Sequence, residues 1–321
     1  MPEIPFINDT FMESHTDFNA LIGLLDQGFS NAGVHTPMRH HHDYPNPLEE
    51  TDSTLLLMPA WDAGKDLGVK IVTVNPKNSK YGLPSIQGTY IYLDGHKGNV
   101  KAILDAKTLT TKRTAASSAL AASYLAKENA SSLLMIGTGA LSLNLIKAHA
   151  CVRPITEVFV WGRDFKKAKH IANTFKKGPM EVKAVEDYKD YIPKADIISC
   201  ATLSKTPLVF GKYLVPGQHL DMVGAYKKDM READDETLIR SNIFLDTCEG
   251  GMKETGDLVI PLKNGIIKES DIKADLFELC SKTKNGRMSE QEITFFKSVG
   301  HASEDLAGAR YYFDQYIRSQ T

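Results

Sequence analysis

The chain has no long apolar run. Nothing in its 321 residues approaches the roughly 18 consecutive apolar residues that a membrane helix needs, and the opening MPEIPFINDT lacks the basic and apolar regions of a secretory signal. A cytoplasmic protein without membrane association is expected. Cysteine is scarce: Cys151, Cys200, Cys248 and Cys280 are scattered, with no C-x-x-C pair, which excludes a disulfide framework and points to reduced, mostly buried thiols. Neither sign of charge is in excess. Lys plus Arg total 38 against 40 Asp plus Glu, a net charge of -2, so little basic charge is left over to neutralise a phosphate backbone and nucleic acid is not an expected partner. Internal repeats and low-complexity tracts are also missing. What remains is 42% hydrophobic and 24% charged, the composition of a chain that folds around a core, at a length that suggests two domains.

The middle of the chain alternates β-rich runs with helical patterns, the signature of βαβ units and a parallel sheet. Strands are expected at SSLLMIG, EVFVWG, EVKAV, ADIISCAT, HLDMVG and NIFLDT, and helices at ALSLNLIKAHA, DFKKAKHIANTF and READDETLIRS. Before this α/β unit the pattern changes. An amphipathic helix from Asp17 to Ala32 precedes STLLLMPAW, GVKIVTVNP, GTYIYLD and VKAILD, strands separated by Pro and Gly turns without helices between them, which implies a mixed or antiparallel sheet. The Ala-rich stretch TLTTKRTAASSALAASYLAKENA has no internal Gly or Pro and reads as a helix joining the two architectures. From Ser289 onward the chain reads as amphipathic and helical.

Gly137-Thr138-Gly139-Ala140-Leu141-Ser142 follows a strand and opens a helix, the context a dinucleotide site requires. The first glycine permits the tight turn, the second lets backbone approach a pyrophosphate, and Ser142 is small enough for close helix–sheet contact. The helix N-terminus then offers amides and positive dipole to the phosphates. At the end of the second strand, where NAD sites place a carboxylate for the ribose, this chain has Gly162-Arg163-Asp164. Arg163 suits a 2′-phosphate, favouring NADPH over NADH, while Asp164 reads either as a helix N-cap or as a ribose ligand. Arg39-His40-His41-His42-Asp43 invites a metal reading, but consecutive strand residues point to opposite faces and cannot converge on one ion, so no metal is expected and Arg39 is read as presented to an anion. Lys70 sits in the β-branched run GVKIV, where a lysine is either outward-facing or paired and functional. Arg113, in TTKRTAA, is equally open between a surface arginine and a ligand.

Together these segments resemble the ornithine cyclodeaminase/μ-crystallin family through LLLMPAW (55–61), GVKIVTVNP (68–76), LTTKRTAASSAL (109–120), IGTGALS (136–142), PGQHLDMVGA (216–225), KETGDL (253–258) and FKSVGHASEDLAGA (296–309). The resemblance implies an α/β fold. A Rossmann-type doubly wound parallel sheet over 114–294 would bind the dinucleotide, and a mixed-sheet α+β domain, 1–113 together with 295–321, would bind substrate and form a homodimer. It places Arg39, Lys70, Arg113 and Tyr226 around a small amino or imino acid, with Lys70 and Arg113 as the catalytic pair. Gly137, Thr138, Gly139, Ala140, Leu141, Arg163, Thr202, Lys297 and Ser298 then fall at the cofactor.

Cyclodeaminases of the family carry an acidic residue two positions after the glycine of the VG motif; here that position is Tyr226, and a phenol is a poor general base at neutral pH. The resemblance therefore implies NAD(P)H-dependent reduction of a cyclic imino acid, Δ1-pyrroline-2-carboxylate to L-proline, with the six-membered Δ1-piperideine-2-carboxylate, reduced to L-pipecolate, as a further substrate. A cyclodeaminase, an amino-acid dehydrogenase on the same fold, and a non-catalytic NADPH- or ligand-binding protein like μ-crystallin are the alternatives.

Overall fold

A computed structural model describes residues 3–30 and 33–321. The chain begins with β1 (Phe6–Ile7), α1 (Asp9–Ser14), α2 (Phe18–Ser30), β2 (Val34–His35), β3 (His40–Asn46) and β4 (Thr51–Asp62). β5 (Asp66–Val74), β6 (Ile86–Asp94), β7 (Val100–Asp105) and α3 (Ala106–Leu125) follow, then β8 (Ser132–Ile136), α4 (Ser142–Val152), β9 (Glu157–Trp161), α5 (Phe165–Thr174) and β10 (Glu181–Ala184). Next come β11 (Ile197–Cys200), β12 (His219–Met222), α6 (Asp235–Ile239), β13 (Ser241–Leu245), α7 (Cys248–Glu254) and α8 (Gly256–Lys263). The chain closes with β14 (Ile272–Asp275), α9 (Leu276–Cys280), β15 (Ile293–Lys297) and α10 (Ala302–Ser319). It divides into two compact units, Met1–Arg113 with His301–Thr321, and Thr114–Gly300.

The first unit is a mixed sheet of order β1-β7-β6-β5-β4-β2, with β3 also paired to β4; β1 runs parallel to β7 and the other pairs are antiparallel. Alternation along the strands gives each face its own set of side chains. One face carries Met58, Ala60, Lys70, Tyr90, Tyr92, Ala102 and Leu104, all buried. The buried side of α2 lies at helical spacing, Phe18, Leu21, Ile22, Leu25 and Phe29, and α10 contributes Leu306, Ala309, Tyr311 and Tyr312 to the same core. Each large apolar side chain so enclosed stabilises the unit by about 1.5–3 kcal/mol. The helix expected to reach Ala32 is described as far as Ser30, since residues 31 and 32 lie outside the described residues.

The second unit is a fully parallel sheet, β10-β9-β8-β11-β12-β15-β13-β14. Chain order reverses between β8 and β11, which makes the carboxyl ends of these two strands the switch point where doubly wound sheets bind ligands. All six strands expected from the sequence are present, but two were not expected. β14 is short, and β15 overturns the helical reading of the stretch after Ser289. Ile293–Lys297 is buried throughout and lies between β12 and β13. ITFFK is short and buried on both faces, so its apolar residues follow neither the strand nor the helix period and the sequence alone does not separate the two. The break between the units accordingly falls after Gly300, and residues 295–300, expected with the first unit, belong to the second. The helix read in READDETLIRS shortens to α6, because Asp234 accepts from the Thr237 N–H and caps it there.

Candidate active site

The first unit encloses a cluster of four charges. Lys70 lies on β5 on the face that meets the helices, Arg113 lies on α3, and Glu304 and Asp305 occupy the first turn of α10, where the helix dipole favours carboxylates. All four are buried, the two carboxylates completely. Asp305 serves both cations: Oδ2 is 2.7 Å from Lys70 Nζ, and Oδ1 accepts from Arg113 Nε at 2.9 Å. Arg113 Nη1 donates to Glu304 Oε2.

Burial pushes the Lys70 ammonium down to about 8; Asp305 works against that shift, while the positive fields of Arg113 and Arg39 add to it. Asp305 is held below the usual carboxylate range, because Lys70 and Arg113 together outweigh its desolvation. Arg39 is thus close enough for its charge to act on Lys70, which brings together the three cations expected at the substrate. The histidines after Arg39 lie on the exposed strand β3, where His41 Nε2 meets Asp43 Oδ1 at 3.2 Å and the His40 and His42 rings stand 6.2 Å apart. No group of three or more possible metal ligands occurs among the described residues.

In the second unit the glycine turn leaves β8 at the switch point. Gly137 has φ of 124°, and a Cβ there would stand 2.6 Å from the Ala201 carbonyl oxygen, so backbone conformation and close approach both require glycine. Nothing lies within 4 Å of where a Cβ on Gly139 would be, leaving open space beside the turn that leads into α4. Ser142 is buried and its Oγ donates to the Gly137 carbonyl, tying the turn to the first residue of α4. This geometry fits a dinucleotide pyrophosphate on Gly137, Thr138, Gly139, Ala140 and Leu141. Arg163 is exposed just past β9, whereas Asp164 caps α5 by accepting from the Lys166 N–H at 2.9 Å.

The loops at the carboxyl edge of this sheet are tied from below by buried charge. Thr202, just after β11, donates to Glu232 Oε1 through its N–H at 2.6 Å and its hydroxyl at 2.7 Å. Asp257 Oδ1 accepts the N–H groups of Glu232 and Ala233, and its Oδ2 lies 3.1 Å from Lys297 Nζ. Lys297 also donates to the Gly224 carbonyl. The side chain expected at the cofactor therefore points inward in a fully buried network, because an ammonium at the end of a buried strand must find compensating charge beneath the sheet edge. Burial and the neighbouring Asp257 raise the Glu232 carboxyl to about 7, despite the opposing Lys297. Ser298, Val299 and Gly300 all donate to Asp246 Oδ2, which fixes the turn after β15. Tyr226 is 37% exposed, and burial of its remainder raises its phenol above the ordinary value, so it stays protonated at neutral pH and offers still less phenolate to act as a base.

The acidic partners Glu304, Asp305, Glu232, Asp257 and Asp246 were not singled out from the sequence. All five stand in stretches read there for other reasons: Glu304 and Asp305 in SEDLAG, Asp257 in KETGDL, Glu232 in READDETLIRS and Asp246 in NIFLDT. The available signal was that each buried cation needs a carboxylate.

A family model described as the ornithine cyclodeaminase/mu-crystallin family matches residues 8–320. A Delta(1)-pyrroline-2-carboxylate reductase of Paracoccus denitrificans is 36% identical over 259 residues, 80% of this chain and 82% of that protein. The structure of Thermococcus litoralis Delta(1)-pyrroline-2-carboxylate reductase in complex with NADH and L-proline is similar with a TM-score of 0.92 at 31% identity, covering 99% of both chains. An archaeal alanine dehydrogenase dimer with bound NAD is similar with a TM-score of 0.90 at 26% identity, covering 99% of this chain and 97% of that one. Matched from end to end by sequence and by fold, the chain belongs to the ornithine cyclodeaminase/mu-crystallin family.

Proposed function

We propose that this chain is an NAD(P)H-dependent imine reductase that converts Δ1-pyrroline-2-carboxylate to L-proline, and the six-membered Δ1-piperideine-2-carboxylate to L-pipecolate. The observation that carries the reading is the buried Lys70–Asp305–Arg113 arrangement, with one carboxylate holding two cations. The named activities of the Paracoccus and Thermococcus relatives support it. Arg39 and Arg113 bind the substrate carboxylate, Arg113 through N–H groups in a fixed fork. Lys70 delivers the proton that the ring nitrogen must carry for C2 to be electrophilic; with its ammonium at about 8, it is charged at neutral pH and still able to donate. The glycine turn would hold the pyrophosphate of a reduced nicotinamide dinucleotide, which would supply the hydride to C2. As the C–H bond forms, the C=N π pair moves onto nitrogen, which retains its proton, and an amine results.

The dinucleotide site comprises Gly137, Thr138, Gly139, Ala140, Leu141, Thr202 and Ser298, with Arg163 on the 2′-phosphate, so NADPH is preferred to NADH. Lys297 contributes to it by holding the Gly224 turn. Tyr226 stands where cyclodeaminases of the family carry an acid, and its neutral phenol argues against cyclodeamination.

The functional form is a homodimer. The sheet face of the first unit opposite its buried charges carries Leu55, Leu57, Pro59, Trp61, Leu67, Val69, Ile71, Ile91, Leu93 and Ile103, none of them fully buried and Trp61 38% exposed. An apolar face of this extent calls for a partner, and a second copy supplies it; the dimeric alanine dehydrogenase relative supports this assembly. The test is an assay panel. Oxidation of NADPH with a cyclic ketimine supports the reductase, ammonia release from ornithine without net cofactor consumption supports a cyclodeaminase, and tight NADPH binding without turnover supports a binding protein.

A further inference from the structure

We infer that Asp305 is a positioning residue for Lys70, holding the ammonium where it meets the substrate and keeping it a proton donor. This rests on the reductase reading and goes beyond it, because the active group becomes a pair of residues rather than a lone lysine. The geometry is specific. Asp305 splits its carboxylate, Oδ2 to Lys70 Nζ at 2.7 Å and Oδ1 to Arg113 Nε at 2.9 Å, so one rigid group sets the spacing of both cations. Arg113 has a second anchor in Glu304. For Lys70, Asp305 is the one salt-bridge partner among the described residues.

The other groups around Lys70 do not replace it. Arg113 from α3 and Arg39 from the segment before β3 both disfavour the ammonium, and Asp305 is what opposes them. Tyr90, the cross-strand partner of Lys70 on β6, is a buried phenol whose ionisation is pushed well up, so it carries no charge. Without Asp305, a lysine in this enclosure faces two guanidinium groups and a dry environment, and the neutral amine becomes its stable form at the pH of the cell. A neutral amine neither pairs with a carboxylate nor protonates an imine.

The experiment compares pH profiles of kcat/KM for a cyclic ketimine in the full-length protein. The wild type falls away above pH about 8. Asp305→Asn moves that alkaline limb down by about 1–3 pH units, the shift expected when an opposite charge within contact distance is lost, whereas Glu304→Gln, which removes a carboxylate paired with Arg113, leaves the limb in place. Asp305→Glu keeps the negative charge on a longer side chain and does not depend on recovering Asp305→Asn; it keeps the alkaline limb near that of the wild type while raising KM for the ketimine, because the charge opposing Arg113 and Arg39 remains and only the spacing of the two cations changes. An unmoved limb in Asp305→Asn, or a limb in Asp305→Glu that moves as far as in the asparagine variant, overturns the inference. Failure of the reductase reading looks different, since the wild type then does not turn over any cyclic ketimine. Failure of the site also stands apart, as Lys70→Met then matches an active wild type.

Discussion

Arg113→Met and Lys70→Met remove one positive charge each from the same cluster, yet they should differ sharply in stability. Arg113 is bonded to Asp305 and to Glu304, both fully buried. Its loss takes the guanidinium from both carboxylates and leaves Asp305 to Lys70 alone, and removing one partner of a buried ion pair costs about 3–5 kcal/mol. At about 4 °C for each kcal/mol in a domain of this size, Tm should fall by about 12–20 °C. Lys70 contacts only Asp305 in this cluster, and that carboxylate keeps Arg113 when the lysine is removed; the expected cost is about 1–3 kcal/mol, or about 4–12 °C. Adding Glu304→Gln to Arg113→Met removes one stranded charge and should recover part of the loss. Thermal unfolding followed by circular dichroism reads all three. An Arg113→Met protein that melts with the wild type would refute the buried cluster, and equal losses for the two single variants would refute the double pairing of Arg113.

The other predictions concern the second unit and the assembly. Arg163→Ala should weaken NADPH by about 1.5–3 kcal/mol, roughly 10–150-fold, and NADH little; equal weakening in a fluorescence titration would remove the 2′-phosphate assignment. Glu232 holds its proton up to about 7 in the folded protein against an ordinary 4.5, so its contribution to stability is complete below 4.5 and is lost as pH rises through 7. Glu232→Gln should flatten Tm across that window, and an unchanged slope would contradict the buried carboxyl. Val69→Lys, on the uncovered sheet face, should split the dimer in light scattering, and a variant still dimeric at micromolar concentration would place the interface elsewhere.

Much of this was legible in the sequence for identifiable reasons. The glycine turn at 137–142 could be placed because strand, turn and helix signals coincide there, and Gly137 occupies a conformation and a space that only glycine fits. The strands β4 to β7 of the first unit were readable because turns punctuate them and their two faces differ, whereas the two-residue β1 and β2 are too short to show a period. β15 was not, since it is buried on both faces and shows no period. The reading of Lys70 and Arg113 stopped at half of the cluster: β-branched neighbours flag a buried lysine, but the pairing with Asp305 spans more than 200 residues of sequence, and nothing local to either partner announces it. Lys297 shows the same gap in reverse, because its place in a family-like segment suggested a ligand contact while its partners, Asp257 and the Gly224 carbonyl, make it structural.

The central claim is that the buried cations of the first unit and the dinucleotide turn of the second serve the reduction of a cyclic imino acid. The most direct measurement is incubation of the purified protein with Δ1-pyrroline-2-carboxylate and NADPH, following both cofactor oxidation and the amino acid formed. The account predicts one L-proline for each NADPH consumed, with activity lost in Lys70→Met while that variant still binds NADPH. Cofactor bound tightly but not consumed, or ammonia released from ornithine in place of proline formation from the imine, would contradict it.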